Sequence, residues 1–346
     1  MIAAGPAPRH TAAIPDWQQQ LGQAVRDPVE LLALLGLEPW QLSPPATAES
    51  LRGAAAGFPL RVPHSFIERM RRGDPHDPLL RQVLALPAEL QAVPGYVTDP
   101  LEEEGARGAP GLLQKYRARA LLVTTGACAV HCRYCFRRHY DYGADLDSEL
   151  PRWSAALEHI AADRTLDEVI LSGGDPLSLG NARLAGLLAR LAELPHIRRI
   201  RLHTRTPVVL PARVDVGLLA LLAPLRARLV VVVHANHPAE IDHTTAQALR
   251  QLGVHCAALL NQSVLLAGVN DDAAILGELS RRLFEAGVLP YYLHQLDRVA
   301  GAAHFAVEDR QALALHEQLR GSLPGYLVPR LVREIAGADG KTPLRG

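Results

Sequence analysis

Apolar and polar positions follow two different patterns along the chain, and the pattern changes near residue 117. Before that point, apolar residues recur at helical spacing in short segments, which include Asp16–Val25, Pro28–Leu35 and Ser65–Arg72. Asp27 before Pro28 indicates a helix start, because Asp caps exposed amides and proline fits the first turn. We therefore predict a helical N-terminal region over residues 1–113.

Beyond residue 117, short apolar runs of strand length alternate with helix-like stretches. The runs are Ala120–Thr125, Glu168–Ser172, Ile197–His203, Leu229–His234, His255–Leu260 and Leu289–His294. The stretches between them lie near residues 151–162, 181–194, 214–223, 240–252 and 271–286. This alternation predicts parallel βαβ units. We expect an α/β fold with a partial (β/α)6 barrel over residues 114–300 and a short C-terminal segment over residues 301–346.

Polar residues cluster directly after each predicted strand. These clusters are Cys128–Cys135, Gly173–Asp175, His203–Pro207, His234–Pro238, Asn261–Gln262 and Gln295–Asp297. In a barrel of parallel strands, the carboxyl ends of the strands meet at one face, where active sites lie. The pattern therefore predicts a single site at that face.

Composition narrows the class of protein. The chain has 36 basic and 36 acidic side chains, so its formal net charge is zero. This balance does not indicate binding to nucleic acid or to an anionic membrane. No apolar run of about 18 residues could span a bilayer, and the N-terminus lacks the apolar segment of a signal peptide. We expect a cytoplasmic protein. Three of its four cysteines fall within eight residues, which in a reducing compartment indicates a metal or redox site.

Cys128, Cys132 and Cys135 are spaced C-x3-C-x2-C. Three thiolates can hold three irons of a four-iron cluster and leave the fourth iron open. Zinc is an alternative, with His131 as a crowded fourth ligand, although structural zinc usually takes two close ligand pairs. The cysteines could also be small buried hydrophobes, but the strand end and the charged neighbours make that less favourable.

The cysteine spacing, with Tyr134 before the last cysteine, resembles the radical S-adenosylmethionine (SAM) superfamily. The resemblance implies a [4Fe–4S] cluster on the three cysteines, with SAM chelating the open iron. Ser172-Gly173-Gly174-Asp175-Pro176 resembles the segment that contacts the SAM amino group. Two glycines after a strand would let the backbone approach a ligand closely.

Longer segments resemble lysine 2,3-aminomutases, and most of all the short bacterial branch that acts in elongation factor P β-lysylation. They are Cys128–Tyr140, Ser172–Pro176, Asn261–Asn270, Tyr291–Phe305 and Gly325–Leu344. The resemblance implies an isomerase that converts L-lysine to β-lysine by radical 2,3-amino migration, with pyridoxal 5′-phosphate (PLP) beside SAM. It also implies an electron donor such as flavodoxin or ferredoxin, and a functional link to elongation factor P and its lysyl-ligase.

The same resemblance assigns residues to PLP. The chain has two lysines, Lys115 and Lys341, and Lys341 falls where the family has its PLP lysine. Tyr116 and Arg119 match positions that hold the cofactor phosphate. The loop before Lys341, residues 337–340, has fewer glycines than in the longer aminomutases.

Substrate contacts are implied in the same way. Arg137 matches the position that binds the substrate carboxylate, a task that suits a bidentate guanidinium. Asp297 and Glu334 match the two acids that hold the lysine side-chain ammonium, although the longer aminomutases have Asp in place of Glu334. Four further residues at strand ends are expected to line the SAM or PLP pocket: Arg205, His234, Asn236 and Gln262.

Other functions stay open at this point. An aminomutase for another amino acid, such as glutamate, is disfavoured because Asp297 and Glu334 would repel a carboxylate side chain. An iron–sulfur electron carrier or redox sensor needs no PLP lysine and normally fills all four iron sites with protein ligands. A zinc-stabilised binding module is the third alternative.

Overall fold

The structure, a computed structural model, describes residues 16–143 and 153–345, and one ten-stranded sheet runs through it with its strands in chain order. Two short strands, β1 (Arg107–Ala109) and β2 (Leu112–Tyr116), pair antiparallel and lead into β3 (Arg119–Thr125). From β3 onward the pairing is parallel through β4 (Glu168–Gly173), β5 (Arg199–Thr204), β6 (Leu229–Val233), β7 (Ala258–Val264), β8 (Leu289–His294) and β9 (Arg330–Arg333).

Helices connect the parallel strands, as the alternating pattern predicts. Those between β3 and β9 are α6 (Ser154–Ala162), α7 (Asn181–Ala192), α8 (Thr206–Val209), α9 (Val216–Leu222), α10 (His243–Val254), α11 (Ala273–Glu285) and α12 (Asp309–Ser322). A large hydrophobic core fills the space between the strands and the helices, and Leu171, Leu202 and Leu249 in it are fully buried. The open α/β partial barrel is confirmed.

The strand expected at His255–Leu260 begins later and runs further. The α10 helix continues to Val254, so the chain enters the sheet only at Ala258. The β7 strand continues through polar residues, such as Asn261, because the neighbouring strand region supplies hydrogen-bond partners for their side chains. The Asn261 side chain accepts from the backbone N–H of Ala235 at 2.8 Å and donates to its carbonyl at 3.1 Å.

A seventh parallel strand extends the predicted six. The β9 strand carries Glu334 just beyond its end, and β10 (Thr342–Pro343) folds back antiparallel onto it. This hairpin brings Lys341 back to the edge of the sheet. Four residues are too few for a periodic signal, which is why the sequence did not reveal β9.

The N-terminal helices pack over the loop that carries the cysteines. They are α1 (Trp17–Gly22), α2 (Pro28–Leu34), α3 (Ala48–Gly57), α4 (His64–Ile67) and α5 (Pro78–Arg81). Asp27 caps α2 by accepting from the backbone N–H of Val29, as predicted. The hydrophobic cluster formed by these five helices includes Ala129 and Val130, which lie between the first two cysteines. Within the described residues, no helix is both long and apolar enough to cross a membrane.

Candidate active site

The carboxyl ends of the parallel strands surround one cavity with a volume of about 280 Å³. Every residue that the sequence suggested for the cluster, the cofactors or the substrate borders it, whereas His131, the alternative zinc ligand, does not. The bordering residues are Tyr116, Arg119, Cys128, Cys132, Cys135, Arg137, Ser172, Gly173, Gly174, Asp175, Arg205, His234, Asn236, Gln262, Asp297, Glu334 and Lys341. The fold therefore gathers residues that are more than 200 positions apart in the chain.

We call the region around the three cysteines the sulfur end of the cavity. Burial, and then the nearby Asp175, raises the pKa of the Cys128 thiol well above its usual value. Burial, and then the neighbouring Cys132, raises the pKa of Cys135 to about 11. These thiols hold their protons until a metal replaces them. Across residues 16–143 and 153–345, no three His, Cys, Asp or Glu side chains converge as ligands of a metal ion. In a four-iron cluster each cysteine binds a different iron, so the three thiols need not converge on one point, and their position around one cavity wall fits a cluster with an open iron.

His131 is directed elsewhere. Its Nδ1 atom lies 2.7 Å from the carbonyl oxygen of Pro59, and its ring stacks on Phe58 with the ring centroids 5.3 Å apart. These contacts tie the cysteine loop to the N-terminal region.

Gly173 and Gly174 are required by packing within the protein. Gly173 has a φ of +104°, which favours glycine. A methyl group on Gly174 would lie 2.4 Å from the carbonyl oxygen of Ala127. The close approach that the sequence indicates is thus made to the cysteine loop itself.

The carboxylate of Asp175 is surrounded by protein donors. It accepts from the hydroxyl of Thr204 at 2.7 Å and from the backbone N–H groups of Leu177, Arg205 and Thr206 at 2.7–3.0 Å. This buried side chain holds the loop after β4 against the loop after β5. Because the Asp175 carboxylate is bonded to protein groups, it positions these two loops at the border of the cavity.

We call the region around Lys341 the lysine end of the cavity. The Lys341 ammonium donates to Glu334, and the Tyr116 hydroxyl donates to the same carboxylate at 3.1 Å. Although burial acts to raise it, the Lys341 charge lowers the pKa of Glu334 to about 2. The guanidinium of Arg119 lies over the Tyr116 ring, 4.6 Å from its centroid.

Asp297 has the opposite electrostatic environment. Burial, and then the negative charge of Glu334, raises the pKa of Asp297 to about 7. The two carboxyl groups expected to face one ammonium therefore differ in charge below neutral pH. A cation placed between them would favour ionisation of both.

Glu103 and Lys115 belong to the lysine end, although the sequence gave neither a role. Lys115 Nζ lies 3.0 Å from Glu103 and 3.6 Å from Glu334, so it bridges one buried and one partly buried carboxylate. A signal was present for both residues: Glu103 lies in an acidic run, and Lys115 is one of two lysines and precedes Tyr116.

Arg137 is bound differently from the sequence expectation. Its Nε and Nη2 atoms donate to the two carboxylate oxygens of Glu103 at 2.6 and 2.7 Å, so its bidentate edge faces Glu103. Its Nη1 atom donates to the hydroxyl of Ser172 at 3.1 Å. Of the five N–H groups, one on Nη1 and one on Nη2 make none of these bonds, and they are the donors that are left for a substrate carboxylate.

Three histidines complete the wall between the two ends. Burial, and then nearby cations, lowers the pKa of His234 and of His294 to about 3, so both rings are neutral. His234 Nε2 lies 2.9 Å from Gln262. Within the described residues, the buried Nε2 atoms of His203 and His294 have no hydrogen-bond partner. These unpaired nitrogens border the same cavity as three cations, Lys341, Lys115 and Arg119. Such a set of groups fits an aromatic cofactor that carries a phosphate.

No family model matches the sequence. The chain is 49% identical to the L-lysine 2,3-aminomutase of Escherichia coli (strain K12), over 97% of this chain and 96% of that protein. It is 46% identical to the L-lysine 2,3-aminomutase of Haemophilus influenzae, over 94% and 95% of the two chains. The Clostridium subterminale enzyme of the same name is 32% identical, over 95% of this chain and 77% of that protein.

Among solved structures, a radical SAM methyltransferase from Sphaerobacter thermophilus has a TM-score of 0.44 and 20% identity, over 64% of this chain and 68% of that one. The relatives are far more similar. The alignments cover nearly all of the Escherichia coli and Haemophilus influenzae proteins but only 77% of the Clostridium subterminale protein, which separates short members of the family from long ones. The chain belongs to the L-lysine 2,3-aminomutase family, in its short bacterial branch.

Proposed function

We propose that the protein is an isomerase that converts L-lysine to β-lysine by radical 2,3-amino migration, with a [4Fe–4S] cluster, SAM and PLP. One observation carries the proposal: a single cavity has three thiols at one end, and Lys341 with two carboxyl groups at the other. Neither an electron carrier nor a zinc module requires the second set. When bound, the cluster and SAM supply one-electron chemistry on a C–H bond, and PLP supplies an electron sink beside the amino group.

At the sulfur end, Cys128, Cys132 and Cys135 would hold the cluster. Ser172 and the Gly173–Asp175 backbone would border SAM. The N-terminal helices cover the outer side of the cysteine loop, and their packing against Ala129 and Val130 helps to exclude water.

At the lysine end, Lys341 would bind PLP covalently, with the phosphate near Tyr116 and Arg119. Covalent attachment would engage the Lys341 nitrogen with PLP and draw it away from Glu334, for which it is the main cationic partner. The Glu334 carboxylate then becomes available to the ammonium of the substrate side chain, with Asp297 on the other side. The preference for L-lysine over glutamate follows from these two carboxyl groups.

The substrate carboxylate would bind at the remaining Nη1 and Nη2 donors of Arg137, and Glu103 fixes the plane of that guanidinium. Fixing both ends of the substrate holds the carbon that reacts at one place in the cavity.

We further propose that a flavodoxin or ferredoxin reduces the cluster, and that the β-lysine serves elongation factor P through its lysyl-ligase. The resemblance to the short bacterial branch supports this destination. Removing the gene from its host should leave elongation factor P without the β-lysyl mass, and an unchanged mass would contradict this destination.

The reaction is tested by an anaerobic assay. The iron-reconstituted protein is incubated with SAM, PLP, dithionite and isotope-labelled L-lysine, and the products are identified by mass spectrometry. We expect labelled β-lysine, which is lost when either cofactor is omitted. SAM cleavage without formation of β-lysine would contradict the assignment of L-lysine as the substrate. Neither product, at full iron content, would favour the electron carrier or sensor.

A further inference from the structure

A guanidinium group contacts one of the three cysteine sulfurs directly. Arg205 Nη1 donates to Cys132 Sγ at 2.9 Å, and the arginine is only 5% exposed. Sequence position suggested that Arg205 lines the SAM or PLP pocket. The structure places it at the wall of the cavity and also gives it a partner in the cysteine loop.

The protein holds Arg205 in place from several sides. Its Nη2 atom donates to the Gln82 side chain at 2.8 Å and to Glu240 Oε2 at 3.1 Å, and both partners are fully buried. Its backbone N–H donates to Asp175 at 2.7 Å. A buried cation that is fixed by a carboxylate, an amide and its own backbone cannot turn away from the sulfur without leaving these partners unpaired.

The carboxylate that holds Arg205 has no freedom of its own. Glu240 Oε1 accepts from Gln82 Nε2 at 3.1 Å and from the backbone N–H groups of Asn236 and His237 at 2.9 and 3.0 Å. Oε2 is therefore left to Arg205. Four donors on one buried carboxylate fix its plane, and this plane fixes the direction of the guanidinium.

Tyr134 connects this network to the cysteine loop a second time. Its hydroxyl contacts Arg205 and accepts from Asn236 Nδ2 at 2.6 Å. Tyr134 lies between Cys132 and Cys135 in the chain. The network therefore contacts the cysteine loop at two points, the sulfur of Cys132 and the hydroxyl of Tyr134.

We propose that Arg205, oriented by Glu240 and Gln82, is a positioning residue that raises the reduction potential of the cluster bound to Cys132. This inference rests on the cluster of the proposed function. Uptake of one electron takes [4Fe–4S]²⁺ to [4Fe–4S]⁺, and the electron comes from a low-potential one-electron donor. The added negative charge is stabilised by a cation and by a hydrogen bond to a ligand sulfur, so both favour the reduced state.

The test is a redox titration of the reconstituted protein, followed by electron paramagnetic resonance, without SAM, PLP or lysine. We expect a more negative midpoint potential in Arg205→Gln, which loses the charge, and a smaller shift in Arg205→Lys, which keeps it. Arg201→Gln is the matched control, because Arg201 borders the same cavity from β5, the strand that Arg205 follows, but pairs with Glu168. Its midpoint should equal that of the unchanged protein.

Equal midpoints in the unchanged protein and in both Arg205 variants would overturn the inference. If Arg205→Gln fails to retain iron, the Arg205→Lys variant at full iron content decides. A shift as large in Arg201→Gln would show that cavity charge acts without the sulfur contact, and would also overturn it. Potentials that shift in a protein that forms no β-lysine would leave this inference standing and remove the proposed function.

Discussion

At the sulfur end of the cavity, polar side chains are bonded to groups that belong to the folded framework, whereas at the lysine end charged side chains are bonded mainly to one another. Asp175 accepts hydrogen bonds from three backbone N–H groups, and Glu240 accepts from two. Glu103 and Glu334 are instead shared among Arg137, Lys115 and Lys341.

The difference corresponds to two kinds of task. A group that is held by backbone donors keeps its position when a ligand enters, and this suits a metal cluster whose ligands must not move. Carboxylates that are paired with side-chain cations can exchange those partners for a substrate that carries its own charges. The four predictions below test this division, starting with the largest expected effect.

Replacing Cys132 with Ala should abolish iron–sulfur binding and turnover, because two thiolates cannot hold the cluster. Iron and sulfide content and visible absorption measure the first effect, and β-lysine formation measures the second. Cys256→Ala is the control, because Cys256 lies in the large hydrophobic core away from the cavity. Turnover that survives in Cys132→Ala would refute the role of the sulfur end.

Replacing Lys341 with Ala should remove covalently bound PLP and lower turnover by roughly a thousandfold or more, while the iron content stays normal. Borohydride reduction followed by peptide mass analysis locates the attachment. The chain has two lysines, and both border the cavity. PLP trapped on Lys115 instead of Lys341 would contradict the assignment.

Replacing Glu334 with Gln should raise KM for L-lysine by about 10- to 100-fold, because a charged hydrogen bond contributes about 1.5–3 kcal/mol. The effect on kcat should be smaller. Steady-state kinetics measure both values. Glu278→Gln changes an exposed glutamate on α11 and should leave KM unchanged. An unchanged KM in Glu334→Gln would separate this acid from the substrate ammonium.

The affinity for L-lysine should rise with pH through neutrality, and this is the smallest of the four effects. The pKa of Asp297 is raised to about 7, so the group is neutral below that pH and negative above it. The ionised form attracts the substrate ammonium, and KM should therefore fall between about pH 6 and pH 8. In Asp297→Asn this dependence should disappear. A KM profile that keeps its slope in that variant would assign it to another group.

The sequence revealed the parts of this protein that depend on local pattern. The six strands β3 to β8 alternate with helices, and the cysteines, Gly173–Asp175 and Asp297 all follow strand ends directly. Barrel geometry alone then predicts that they meet. The assignment of Lys341 to PLP rests on family resemblance and on the scarcity of lysine, and it stays a prediction.

The partners of these residues could not be read from the sequence. Glu103 reaches Arg137 only because β1 and β2 fold back onto β3, and Glu334 meets Lys341 only through the hairpin of β9 and β10. Glu240 is 35 residues from Arg205, in a short turn without periodicity. Pairings of this kind are set by strand order and register, which no local window contains.

The central claim is that both ends of the cavity act on one bound substrate, and deuterium transfer tests it most directly. The reconstituted protein is incubated anaerobically with SAM, PLP, dithionite and L-lysine deuterated at its β-carbon, and SAM and 5′-deoxyadenosine are analysed by mass spectrometry. We predict deuterium at the 5′-carbon only when PLP is present, with deuterium also retained in β-lysine. β-Lysine that forms without any transfer of deuterium to the 5′-carbon would contradict the account.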